Sequence, residues 1–386
     1  MIQSEIKKSF GLFLKGHEGK LHFAAHSHHF WPDVSREGHL QYWDDSALMS
    51  DQKWNKIFSE VIPESQNHIA RILNVPDAQQ IVFAPNTHEL NSRLLSLFLG
   101  KKNLRILTTS HEFHSWNRQV TRLEEMPEVF VKRAEIEEIK TELKNGYDIF
   151  FISQVFFDSG KALSSEFLLE LKNLCPKETI MVIDGYHGFG AIPFDFSPFA
   201  DRVFYLAGGY KYAQAGEGAC FMIVPQGQWR PAYTGWFAEY EELSATKSHK
   251  VSYAPNGMSF MGATQDMSGL YRLNSVWNHW NKLEVDTKKL HEYVQTLQKA
   301  FINALPSRWE AKYHLKRLFD LDLNDHGHFL TFEAPDAKSA KGLEDSLRSN
   351  NIIVDSRGSR IRFGFGLYQD LEDVKALTHC LEKLAN

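Results

Sequence analysis

VIDGYHGFG, from Val182 to Gly190, and YLAGGYKYAQAGEG, from Tyr205 to Gly218, decide the fold. In the first, the apolar run MVID has strand character and ends on Asp184, and the glycines that follow let the chain turn sharply. A carboxylate is thereby delivered to the carboxyl edge of a buried strand, where open α/β sheets bind their ligands. On the residues alone, an aspartate capping a helix or turn is the competing reading. In the second stretch, Lys211 stands between Tyr210 and Tyr212, after paired glycines and before a Gly-Glu-Gly turn that leads into the strand ACFMIV. Burial among these rings lowers an amine's pKa and frees its neutral form to attack a carbonyl, as Schiff-base chemistry requires. The alternative is a lysine with its stem on tyrosine rings and its charge in water.

Taken together, acid and amine suit an aldehyde cofactor held on Lys211, with Asp184 keeping a pyridine nitrogen protonated. The segments DGYHGFGAIPFD and GGYKYAQAGEG resemble those of the pyridoxal-phosphate enzymes of fold type I, within the class V aminotransferase group, and are most similar to kynureninase. The resemblance implies an α/β fold: a large domain on a mostly parallel seven-stranded sheet and a smaller α+β carboxy-terminal domain. It also implies that Asp184 pairs with the pyridine nitrogen, His187 contacts the ring hydroxyl, Lys211 forms the Schiff base and Tyr210 contacts phosphate.

The 386 residues suffice for two domains sharing a sizeable core, and 43% hydrophobic with 24% charged residues is ordinary for a globular chain. A net charge of -5 leaves no electrostatic footprint for nucleic acid or an acidic membrane. The start MIQSEIKKSFGLFLKG lacks the apolar core of a signal peptide and no later run is long enough to span a bilayer, so the expected location is cytoplasmic. Cys175, Cys220 and Cys380 form neither a disulfide framework nor a metal-ligand spacing.

Residues 1–20 read as one amphipathic helix with Ile6, Phe10, Leu12 and Phe13 as its apolar positions, packing with the small domain. In LHFAAHSHHFWPD a short strand runs into a histidine-rich segment. Read as extended, it puts His26 and His28 on one side without an acidic or cysteine partner, so no metal site is expected. Residues 35–75 have helical spacing. QIVFAPNTHELNSRLLSLFLG then joins a strand to a helix through Asn86, Thr87 and His88, and the free N–H groups of such a helix start attract phosphate. Asn86 or Thr87 as a plain cap is the competing reading. After NLRILTTS, Phe113 or His114 is placed to cover one face of a pyridine ring, and His111 with His114 would make a metal pair lacking a third ligand. Strand and helix keep alternating through residue 174, which argues a parallel sheet with right-handed crossovers. From Asp266 one long helical stretch to Leu305 marks the crossing from a large domain (21–265) into a small one (266–386), where Arg357, Arg360 and Arg362 cluster.

The resemblance assigns further roles. Asn86, Thr87 and the backbone of His88 hold the cofactor phosphate, and Phe113, at the point where kynureninase-like sequences carry a Phe, covers the ring. Trp236 and Thr264 complete the cofactor site across the interface of a homodimer, and His26, Ser27 and His28 lie in a loop that lines the substrate pocket. The run from Arg362 to Tyr368 resembles segments whose arginine holds an amino acid's carboxylate, with Arg360 as the alternative. Relatives usually carry an Asn where this chain has Val155-Phe156-Phe157. The implied activity is kynureninase-like hydrolytic carbon–carbon cleavage of an amino acid, with class V transamination as the alternative. A cysteine desulfurase-like lyase is less favoured because residues 320–362 contain no cysteine, and a catalytically silent binding protein because Lys211 is kept with all its partners.

Overall fold

Seven runs rich in Val, Ile, Phe and Leu pair into one sheet in the computed structural model, which describes residues 2–242 and 250–386. Following a two-residue β1 (Leu21–His22), they are β2 (Ile81–Ala84), β3 (Leu104–Thr109), β4 (Val129–Ala134), β5 (Ile149–Ser153), β6 (Ile180–Asp184), β7 (Val203–Gly208) and β8 (Cys220–Ile223). Strands covered on both faces are apolar throughout rather than alternating. Every residue of β2, β5, β7 and β8 is accordingly buried. β4, at one edge, instead leaves Phe130 exposed and Lys132 and Arg133 half-buried.

The strand order is β2-β8-β7-β6-β5-β3-β4, and only β8 runs antiparallel to its neighbours. This is the mostly parallel seven-stranded sheet of the expected α/β fold. Register sets Ser153 beside Asp184, and Asp184 beside Leu206, along one carboxyl edge.

A second, antiparallel sheet contains β9 (Lys316–Arg317), β10 (Phe329–Glu333), β12 (Asp355–Arg357) and β13 (Arg360–Gly364), in the order β12-β13-β10-β9. The helix Ala337–Ser349 packs on it, and Trp309, Phe332 and Phe363 meet edge-to-face in its core. This is the smaller α+β layer. The short β11 (Ile352–Ile353) pairs in parallel with β1, so the amino-terminal segment is joined to this layer. Lys7 adds ion pairs of 2.7 Å to both Asp370 and Asp373 at the start of the last helix.

Two expected helices differ. Residues 1–20 form two helices, Ile2–Lys8 and Gly11–Gly16, because Asp33 reaches in: its backbone N–H donates to the Ser9 carbonyl at 2.7 Å and its carboxylate accepts the Leu12 N–H at 3.0 Å. Ile6 and Phe10 are buried and Phe13 packs on Phe30, but Leu12 is 55% exposed. The stretch 268–305 is likewise two helices, Ser268–Lys282 and Thr287–Ala304, the second capped by Asp286. Ser268–Lys282 lies along Val34–Met49 so closely that a Cβ on Gly38 would meet the Tyr271 carbonyl oxygen at 2.6 Å. No helix among the described residues is long and apolar enough to cross a membrane.

Candidate active site

Asp184 ends β6, and the turn after it needs Gly185, where a Cβ would lie 1.9 Å from the Tyr205 hydroxyl oxygen. That hydroxyl is fixed by a 3.0 Å bond to Gln154. The Asp184 carboxylate accepts the Tyr186 N–H at 2.9 Å, so the strand-end acid also caps its own turn. Burial pushes its carboxyl up to about 6, partly countered by that bond and by Lys211. Lys211, three residues past β7, has its amine lowered to about 7 by burial, reinforced by the Arg362 guanidinium and opposed by Asp184. The amine contacts His187 Nε2 and lies 5.4 Å from the ring centre of Tyr186 and 5.8 Å from that of Phe113. His187 is buried, which holds it well below its ordinary pKa, and its Nδ1 has no hydrogen-bond partner among the described residues.

The strand-to-helix junction lies beside them. Asn86 caps the helix Thr87–Leu95 by accepting the Glu89 N–H at 2.9 Å, which leaves the first N–H groups, those of Thr87 and His88, without an intrahelical partner. Glu89 is turned away by a 2.6 Å ion pair with Arg93. Asn86, Thr87, His88, Phe113, Asp184, His187, Tyr210 and Lys211 all line one cavity of about 280 Å³. Eight positions assigned from the sequence thus meet at the carboxyl edge of the sheet.

Ser115, Ser153, Val155, Phe157 and Tyr186 also line it, and sequence reading gave them no role. Beneath Ser153 lies Glu112, fully buried, which accepts bonds from the Ser153 hydroxyl (2.5 Å), the Ser153 N–H (3.2 Å) and the Thr109 hydroxyl (2.7 Å). Burial pushes its carboxyl up to about 7. The available signal was an acid just past the strand NLRILTTS, the same placement that singled out Asp184.

Six other sequence candidates do not line this cavity. The histidine-rich segment is not extended: the Ala24 carbonyl accepts the N–H groups of both Ser27 and His28 at 2.9 Å, and the turn sends the two histidines apart. His26 is fully buried, stacked on Phe329 at 4.8 Å, whereas His28 Nδ1 lies 3.0 Å from the Tyr210 hydroxyl. Arg362 is buried and donates to the Phe157 carbonyl at 2.5 Å and to Asp355. Arg360 donates to Asp158, which also lies 2.9 Å from His111 Nδ1. Trp236 and Thr264 are exposed. His111 is engaged by Asp158 and Glu135, and no group of three potential ligands among the described residues could hold a metal.

A flat aromatic aldehyde bearing a phosphate fits this donor set: free N–H groups at a helix start for the anion, an amine for the aldehyde, a buried acid for a ring nitrogen, and the unpartnered imidazole nitrogen of His187. The family model Aminotransferase class-V matches residues 24–377. The chain belongs to the class-V aminotransferase family. It is a pyridoxal-phosphate-dependent enzyme of fold type I. Among solved structures, the chain is similar to a cysteine desulfurase from Thermococcus onnurineus NA1 (16% identity, TM-score 0.80, covering 99% of this chain and 98% of that one). It is also similar to the cystine C-S lyase C-DES in complex with cysteine persulfide (16%, TM-score 0.77, 97% and 99%). A third is the cysteine desulfurase CsdA from Escherichia coli (14%, TM-score 0.77, 99% and 98%). Identities this low carry the fold of the class-V enzyme and no more. No curated protein matches the sequence.

Proposed function

We propose that this class-V enzyme binds an amino acid at Lys211 and cleaves a bond of its side chain in a kynureninase-like hydrolysis. The observation that carries the proposal is the meeting of Lys211, Asp184, His187 and the Thr87 helix start on one cavity. Bound there, pyridoxal phosphate supplies an electron sink for the pair left behind when a bond at the amino acid's α-carbon breaks. Thr87 and His88 N–H groups, with the Tyr210 hydroxyl, hold the phosphate. Asp184 would hold the ring nitrogen, His187 the ring hydroxyl, and Phe113 would keep water from one face. Lys211, its amine lowered to about 7 by burial and so available in neutral form, takes and returns the α-proton. Arg362 receives the substrate carboxylate. Val155, Phe157 and Phe113 give the remaining walls an apolar character, which suits an aromatic or apolar side chain.

Desulfuration through a protein thiol finds no support in the site. Cys175 and Cys220 are buried, Cys380 sits in the last helix, and none lines the cavity. The Cys220 thiol is pushed up to about 12 by burial, which removes its nucleophilic form. Trp236 and Thr264, exposed in one subunit, are proposed to complete the partner's cofactor site in a homodimer.

The test is to load the purified protein with pyridoxal phosphate and screen amino acids, kynurenines included, by visible absorbance and product analysis. A hydrolase releases a side-chain fragment and returns the cofactor unchanged. Accumulation of the pyridoxamine form with consumption of a keto acid would replace hydrolysis by transamination, and a colourless protein that takes up no cofactor would overturn both.

A further inference from the structure

Next to Lys211, a buried cluster gathers on the ring of Phe329. His26 stacks on it at 4.8 Å, the tilted ring of His187 lies at 5.2 Å, and the Arg362 guanidinium carbon lies 5.8 Å from its centre. Asp355 touches Arg362, lies 3.6 Å from His26 Nε2 and 3.5 Å from the largely exposed Arg357. His26 cannot withdraw: it is fully buried, and a Cβ on Gly364 would come within 2.3 Å of its Nδ1. Arg362 Nε and both His26 ring nitrogens lack hydrogen-bond partners among the described residues.

An arginine serving only to neutralise Asp355 would have no reason to keep a buried donor unsatisfied, since such a donor carries its full desolvation cost. Yet a ligand carboxylate arriving at Arg362 finds the guanidinium already shared with Asp355. Two carboxylates in contact, withdrawn from water, cannot both stay charged on one guanidinium, and the other cation beside Asp355, Arg357, lies largely in solvent. The neutral base nearest to Asp355 is His26.

We propose that Asp355 and His26 make carboxylate recognition at Arg362 proton-coupled. The incoming carboxylate takes the guanidinium from Asp355, Asp355 passes to His26, and the imidazole accepts one proton from solvent. This rests on the reading that Arg362 receives the substrate carboxylate. Ligands without that carboxylate leave Asp355 in place, so the pair selects for an acid. In the free site His26 is neutral, since burial and Arg362 hold its imidazolium down to about 3. Its other charged or titratable neighbours are Lys211, which the cofactor occupies, and His22 and His187, both held neutral by burial.

The experiment uses the pyridoxal-phosphate-loaded protein and 3-phenylpropanoate, which has the carboxylate but no amine to react. Calorimetric titrations at about pH 6 in two buffers of different ionisation heat count the protons taken up. Wild type takes up close to one proton per ligand bound, and 3-phenylpropanamide does not bind. Asp355→Asn binds about tenfold tighter with no uptake. His26→Gln, which leaves the Asp355–Arg362 pair intact, binds more weakly than wild type and also without uptake. Asp184 and Glu112, whose carboxyls titrate in the same range, are unchanged in both variants and serve as their internal control. Binding without proton uptake in wild type, or equal uptake in wild type and both variants, overturns the proposal. Unchanged binding in Arg362→Met instead overturns the carboxylate reading on which it rests.

Discussion

The two ends of the active site are built differently. At the cofactor end, Asp184, Lys211 and the Thr87 helix start each follow the carboxyl end of a strand in a single sheet, so each position is set by one short stretch of sequence. At the carboxylate end, His26, Asp355 and Arg362 come from an amino-terminal turn and from two strands of a second sheet. Their electrostatics differ too. Burial works against ionisation of Asp184 and Lys211, raising the one and lowering the other, whereas Asp355 is held well below the usual carboxylate range by His26 and Arg362. The reactive end keeps groups that are destabilised as ions, and the binding end keeps an ion pair, Asp355 with Arg362, beside a neutral imidazole.

The contrast can be broken most directly at Lys211. Lys211→Ala should lose the visible absorbance of the loaded enzyme and reduce turnover by about 10³-fold or more. Turnover near wild type would remove the amine from the chemistry. Next comes Asp184 in the cofactor-free protein. A carboxyl raised to about 6 keeps its proton in the fold when the unfolded chain, at about 3.8, has released it. Stability is therefore full below about pH 4 and falls as pH climbs to about 6, by roughly 3 kcal/mol at most. Urea unfolding of Asp184→Asn should lack that decline relative to wild type, and parallel curves would show the burial penalty to be absent. At the binding end, Arg362→Gln should lower kcat/KM by about 100-fold, mainly through KM. The smallest effect falls on Arg360→Gln, whose ion pair with Asp158 is more exposed: roughly threefold or less in kcat/KM. Equal losses at the two arginines would erase the distinction between them.

The cofactor end was the more legible in sequence for the same reason. An apolar run, an acid and a glycine turn, or a run, a cap and a helix, are local patterns, and Asp184 and Asn86 could be singled out from a few neighbours each, their roles coming from the resemblance. Glu112 carried a similar pattern but sits under Ser153, and only the pairing of separate strands makes that contact. The carboxylate end left no such trace. Nothing near Asp355 in the chain reveals that β12 sets it opposite Arg362, and the histidine-rich segment looked extended because the turn at Ala24 is enforced by a bridge to Gly364. Helix breaks at 9–10 and 283–286 were hidden likewise, since each depends on a partner such as Asp33 or on a cap read only once the chain has turned.

One pairing has a consequence for how the enzyme comes into being. β1 lies beside β11, and His22 Nδ1 sits 2.7 Å from the hydroxyl of Tyr368, 346 positions further along. A ribosome makes the chain from amino to carboxyl end, so the turn that carries His26 emerges well before the strand and the tyrosine that seat it. The large sheet, complete by residue 223, can form while that turn is still waiting. The place for the vitamin-derived partner can therefore exist before the turn that carries His26 is seated.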